Sequence, residues 1–128
     1  MKVNIPISIG ELFDKITILE IKQKKIKDNK KKIQINNELN LLKKIVKSKR
    51  LRARSISLQV KKLKMINVKL WNVEDKLRKF ESNNSFNKDF IKNARKVYFM
   101  NDKRAELKNQ INQITHSKII EVKSYEKY

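Results

Sequence analysis

One proline and one glycine stand in this chain of 128 residues, Pro6 and Gly10, both near its start. Glycine and proline are the residues that normally punctuate helices and form turns. A chain this poor in breakers suits long helices. Capping signals and hydrophobic period then decide where each helix begins and ends.

The stretch Ile5 to Lys22, IPISIGELFDKITILEIK, combines both kinds of signal. Val3, Ile5 and Ile7 alternate and read as a short extended lead. Ser8 with Glu11 three residues on has the form of a capping box. Behind it Ile9, Leu12, Phe13, Ile16 and Leu19 recur at helical spacing as one apolar stripe. A first helix is expected over about residues 9–27. The run Lys27 to Lys32 has no apolar residue and crowds like charges, so the helix breaks there. Ile35, Leu39, Leu42 and Val46 resume on a different face, predicting a second helix over about 32–47.

Residues 47–55, KSKRLRARS, hold five basic side chains in nine. They read as a solvated connection between helices or, alternatively, as a phosphate-binding arm. Val60, Leu63, Ile66, Leu70, Val73, Leu77 and Phe80 then repeat every three or four residues, the pattern of a bundle or coiled-coil seam. A third helix is expected over about 56–81. Ser82-Asn83-Asn84-Ser85 is a turn, Asn87 the next N-cap, and Phe86 with Ile91 a hydrophobic staple. The fourth helix, about 87–115, carries Phe90, Val97, Met100, Leu107, Ile111 and Ile114 on one face, interrupted by Arg104. A short loop between two long helices makes them antiparallel. The tail, with Ile120 and Val122 between charged residues, reads as extended and as docking near the N-terminal segment.

The expectation is a single all-α domain over residues 1–128, an antiparallel bundle of about four helices. Its third and fourth helices form a long central hairpin, and both termini are short and extended. The length suits one domain with a modest core. No run approaches the roughly 20 apolar residues of a membrane span, so no membrane insertion is expected. The N-terminal apolar run is too short for a secretory signal, and the expected location is cytoplasmic. Cysteine is absent, which excludes a disulfide framework and thiolate chemistry.

The net charge of +20 has two readings. Basic chains bind phosphate-rich partners through counterion release. Here Lys outnumbers Arg 27 to 6, and Ile (17) and Asn (14) are also abundant. These are residues that A+T-rich codons encode, so composition drift accounts for much of the charge. Arg, the better marker of specific phosphate recognition, is scarce. Nucleic-acid binding therefore ranks third among the functions considered.

Catalytic motifs are missing. One His and no Cys exclude the usual zinc sites, and no glycine-rich loop can cradle a nucleotide, so neither metal nor cofactor is expected. His116 falls at a helix end and reads as a surface or capping residue. Glu74 and Asp75 are adjacent, and their side chains diverge by about 100°. Trp71 flanks the seam and reads as core or rim. Glu20 lies on the same side as the first stripe, and Arg104 stands on a packed face, with Asn101 and Asp102 beside it and Tyr98 and Arg95 earlier on the helix. A charge on such a face must be paired or reach water. An acidic partner for Arg104 is expected, Glu20 first and Glu74 second.

Three blocks, IPISIGELFDKITILEIK, ARKVYFMNDKRAELKNQIN and EVKSYEKY, resemble an uncharacterised bacterial domain-of-unknown-function family of small proteins. Its members read Tyr-x-Thr-Asn-Asp in the second block, where this chain has Met100 at the Thr position. They carry Glu before Lys-Ser-Tyr, where Val122 stands here. The resemblance implies no activity. It implies gene neighbours concerned with surface polysaccharide or glycosyl transfer, and it marks a set of residues: Glu11, Asp14, Lys15 and Glu20 with Arg95, Tyr98, Asn101, Asp102, Arg104, Lys123, Ser124 and Tyr125. A helical module that binds a partner protein or itself, accessory to polysaccharide synthesis, is the leading expectation. The alternative is a protein or enzyme that takes a small anionic ligand between the first and fourth helices. These residues gathered around a concave pocket favour the alternative; a flat exposed apolar stripe favours the module.

Overall fold

A computed structural model describes residues 1–51 and 53–128. Four helices follow one another: α1 (Ile9–Lys25), α2 (Asn29–Ser48), α3 (Ala53–Ser82) and α4 (Lys88–Ile114). No strand occurs among the described residues. The all-α expectation is met.

Capping chemistry sets the starts. Ser8 accepts the Glu11 N–H at 3.1 Å, while the Glu11 carboxylate turns 2.7 Å from Lys108 Nζ. Asp28 caps α2 by accepting the Lys31 N–H at 2.9 Å. That cap explains why α2 begins at Asn29 and not at Lys32: the cap supplies the missing acceptor, and the lysines of the first turn lie at the surface. The break is confined to Ile26–Asp28. Asn87 caps α4 through the Phe90 N–H at 3.0 Å, as expected. The predicted staple is different in detail, since the Phe86 ring meets Phe90 edge-on at 5.1 Å and Ile91 is exposed. α3 starts three residues earlier than predicted; within the basic run 47–55, Arg52 lies outside the described residues.

The ends show how a chain with no glycine to spare stops its helices. Arg50, Asn84 and His116 adopt left-handed backbone, with φ of 50°, 51° and 53°. In each case the next N–H reaches back five residues: Leu51 to the Val46 carbonyl, Ser85 to Phe80 and Ser117 to Asn112. This is the Schellman arrangement, built at its glycine position from Arg, Asn and His. His116 is therefore a helix terminator, in line with the capping role expected of it.

The one glycine is used elsewhere. A Cβ on Gly10 would collide with the Lys108 carbonyl and press on Asn112. Its absence lets α1 lie against α4, and Gly10 N–H donates to Asn112 Oδ1 at 2.6 Å. The pairs Gly10–Asn112, Glu11–Lys108 and Asp14–Arg104 advance along α1 while receding along α4, so these two run antiparallel. α3 and α4 form the expected hairpin, closed by an edge-to-face contact of Phe80 with Phe90. The hairpin is not the centre of the bundle, however. α1 lies against all three other helices, whereas among the described residues the backbone of α2 comes close to α1 only.

α1 can do this because it is buried on two faces. Leu12, Phe13, Ile16 and Leu19 join Ile35 and Leu39 of α2, Ile56 and Leu63 of α3, and Leu107 and Ile111 of α4 in one core. Each such side chain stabilises the fold by about 1.5–3 kcal/mol when fully buried. Gly10, Asp14, Thr17 and Ile21 make a second buried face at helical spacing. On α4 the predicted apolar face is only partly realised. Ile114 is exposed and Val97 and Met100 are half-buried, whereas Asn93, Lys108 and Asn112 are buried.

Candidate functional site

Asp14 is 1% exposed and lies on the second face of α1, aimed at α3 and α4. Arg104 grips it with two parallel hydrogen bonds, Nε to Oδ1 at 2.9 Å and Nη2 to Oδ2 at 2.5 Å. Asn67 of α3 donates through Nδ2 to Asp14 Oδ1 at 2.9 Å and to Thr17 Oγ1 at 3.0 Å. The Thr17 hydroxyl in turn donates to the Asp14 carbonyl at 2.8 Å. Burial pushes the Asp14 carboxyl upward, but the hydrogen bonds from Arg104 and Asn67 and the nearby charges of Arg104 and Lys108 outweigh it. The carboxyl sits below its ordinary value. The hydrogen bond to Asp14 raises the Arg104 guanidinium against the opposing effect of burial.

The expectation that Arg104 needs an acidic partner is met, with a correction to its identity. The partner is Asp14, not Glu20 or Glu74. Glu20 lies 3.5 Å from Lys64 on α3, and Glu74 is 3.8 Å from Arg78 in its own helix. Each is therefore engaged with a cation other than Arg104.

One turn beyond Arg104, Lys108 is almost wholly buried, its Nζ 2.7 Å from both Glu11 Oε2 and Glu121 Oε2. Burial alone would lower the Lys108 ammonium, but hydrogen bonds to the two carboxylates raise it above its usual value. Glu121 is lowered chiefly by its hydrogen bond with Lys108. This triad fastens the C-terminal segment to the bundle. Ser117 Oγ, accepting from the Ile9 N–H at 3.1 Å, adds a tie at the start of α1. The tail thus docks beside the N-terminal segment, as the sequence suggested.

Beyond Glu121 the segment runs along α4, and the two line an open cavity of about 650 Å³. Its helix wall is Ala94, Val97, Tyr98, Asn101 and Asp102, and its other wall is Lys123, Tyr125, Glu126 and Tyr128. The lining is mainly apolar and aromatic with a few polar atoms. Asp102 accepts a hydrogen bond from the Tyr128 hydroxyl, and Lys123 Nζ sits 6.0 Å from the Tyr125 ring centre. A second, smaller cleft of about 260 Å³ opens between α1, α3 and α4, where Trp71 and Glu74 face Arg104, Asn67 and Asn101. Asn101 borders both, and its Oδ1 lies 3.5 Å from Arg104 Nη1.

Of the twelve residues marked in the sequence, five line the larger cavity: Tyr98, Asn101, Asp102, Lys123 and Tyr125. Asp14 and Arg104 join Asn101 in the buried network, and Glu11 belongs to the Lys108 triad, with Lys15 4.0 Å from it. Glu20, Arg95 and Ser124 stand apart, the last two exposed. Sequence reasoning missed Thr17, Asn67, Lys108, Glu121, Glu126 and Tyr128. The spacing of Gly10, Asp14, Thr17 and Ile21 was the available signal for the first of these. Lys108, four residues after Arg104, was a second charge on the same packed face. Among the described residues no group of three or more His, Cys, Asp or Glu is placed to hold a metal ion. No helix there is long and apolar enough to cross a membrane.

Compared with known families, residues 1–128 match the Family of unknown function (DUF6165) along their whole length. No curated protein and no solved structure matches the chain.

Proposed function

The chain belongs to that family of unknown function, and we propose from its own residues that it is a small-molecule-binding domain. The site is the cavity between α4 and the C-terminal segment. The observation that carries this reading is the convergence there of five separately marked residues from two blocks of sequence. A volume of about 650 Å³ lies within the range of small-ligand sites, about 300–1,000 Å³. So does the chemistry, in which aromatic walls supply contact area and a few polar groups fix orientation. The lining carries Asp102 and Glu126 against Lys123. In a chain of net charge +20 that balance argues against a polyanionic ligand and for a ring-shaped, largely uncharged one.

The test is a fragment screen read by amide shifts on labelled protein. Binders should move Tyr98, Asn101, Asp102 and residues 123–128 together. Val97→Trp, which fills the cavity from its half-buried wall, should abolish those shifts while the helical signature is retained. Binders mapping elsewhere, or none at all, would refute the reading. A partner-docking module is the second reading, favoured by Ile33, Leu41 and Ile45 of α2 and Leu58 and Met65 of α3, all exposed apolar side chains.

A further inference from the structure

Tyr128 is 72% exposed and yet makes three specific contacts. Its ring stands edge-on to Phe99 at 4.8 Å and tilted against Tyr98 at 5.4 Å. Its hydroxyl donates to Asp102. Tyr98 and Phe99 are neighbours on α4, and their own rings meet at 4.8 Å. Tyr128 touches both, so its ring packs against the pair. Asp102 is one turn further along the same helix, and no ion pair with a cation is present at this carboxylate among the described residues. Two rings and an acceptor thus form a corner at the edge of the larger cavity, occupied by a ring that carries a hydroxyl.

We propose that Tyr128 is an internal stand-in for the ligand. The corner of Tyr98, Phe99 and Asp102 takes a ring bearing a hydroxyl donor, and Tyr128 holds that place until a ligand displaces it. This inference rests on the cavity being a binding site and adds the chemical class of what it binds. Three properties support displacement. The stand-in leaves most of its surface in water, so removing it exposes little. Its backbone belongs to the segment after α4, which has no helix or strand. Ring contacts and a hydroxyl-to-carboxylate hydrogen bond are interactions that a free molecule can reproduce in kind. A ligand wide enough to reach past the corner also gains the apolar wall of Val97 and Ala94.

The experiment compares the full chain with Tyr128→Ala, using N-acetyl-tyrosinamide as the phenol probe and N-acetyl-phenylalaninamide as its hydroxyl-free control. Methyl glucoside serves as a hydroxylated ring of the other kind. Emptying the corner should strengthen binding of the phenol or the sugar by about tenfold, the factor expected if Tyr128 fills its place nine-tenths of the time. The control should bind more weakly than the phenol, and Asp102→Ala in the Tyr128→Ala background should erase that preference. Equal affinity with and without Tyr128, or no preference for the hydroxyl, overturns the proposal. If neither probe binds the corner while fragments still bind the cavity, the stand-in is refuted and the binding reading survives. If nothing binds the cavity, the binding reading itself has failed.

Discussion

Arg104→Ala isolates the strongest polar contact in the bundle. Asp14 then loses both of its guanidinium hydrogen bonds and keeps one donor, Asn67 Nδ2 at 2.9 Å. A buried carboxylate with most of its partners removed is costly, and breaking such a pair destabilises by about 3–5 kcal/mol. The neighbouring cleft of about 260 Å³ gives water a route to the stranded carboxylate. The lower end, about 3 kcal/mol, is therefore expected. For a chain of this size that is a fall in Tm of roughly 10–15 °C. The measurement is urea unfolding followed by circular dichroism at pH 7, with a second series at low pH. In the variant, burial is no longer outweighed by Arg104, so the Asp14 carboxyl moves up and the folded state favours its neutral form. The stability gap between the parent and Arg104→Ala should accordingly shrink as pH falls toward 4. Replacing both partners, Asp14→Leu with Arg104→Met, should cost less than Arg104→Ala alone, because no charge is stranded. A loss below about 1 kcal/mol for Arg104→Ala, or a gap that does not change with pH, would show that Asp14 is not held as described.

Three further outcomes are expected. Gly10→Ala should destabilise by about 1–3 kcal/mol, because the added methyl meets the Lys108 carbonyl; helix propensity alone predicts a gain of about 1 kcal/mol, so the sign decides. His116→Gly should stabilise by about 0.5–1 kcal/mol, since its left-handed φ of 53° is unfavourable for a residue with a Cβ; a lower urea midpoint would contradict this. Asp14 and Glu121 both sit below their ordinary values of 3.8 and 4.5, so their contribution is present above pH 4.5 and is lost as pH falls through each folded-state value. Glu121→Gln should make the acid decline in urea midpoint shallower.

What could be read from the sequence was whatever depends on a few consecutive residues. The Ser82–Ser85 turn, the Ser8 and Asn87 caps and the α3 seam are local, and each occurs where expected. Asp28, which caps α2 three residues before Lys31, is also a local signal. Arg104 was recognisable as a charge on a packed face because its spacing to Met100 and Leu107 is helical. Its partner was not, because that depends on the rotation of α1 about its axis. The apolar stripe suggested one buried face, which left Asp14 outside it. Gly10, Asp14, Thr17 and Ile21 form a second face that carries little hydrophobicity, so a period based on apolar residues passes over it. The cavity was still less legible. Residues in two blocks some 20 positions apart were marked together, yet only the path of a segment without helical or strand period brings them into contact.

That path depends on Lys108, whose replacement tests whether the cavity's outer wall is built or incidental. Its Nζ lies 2.7 Å from one carboxylate of α1 and one of the tail, so a single ammonium links the start of the bundle to its last segment. Lys108→Met keeps the length and apolar body of the stem and removes the charge. Glu11 and Glu121 are then left facing each other with only an apolar thioether between them. Both are about a third exposed and can turn to water, so the loss of stability should be moderate, about 1–3 kcal/mol. The sharper effect is positional, because the repelled Glu121 has no other cation as near as Lys108. Lys123 is 3.6 Å away and on the same segment, so it cannot tether that segment to the helices. Hydrogen exchange should therefore accelerate over residues 118–128 while the middle of α4 stays protected, and any ligand that uses the tail wall should bind more weakly. Unchanged exchange in the tail would mean that the wall is held by Tyr128 and its ring contacts, and that the buried lysine serves the packing of α1 on α4 alone.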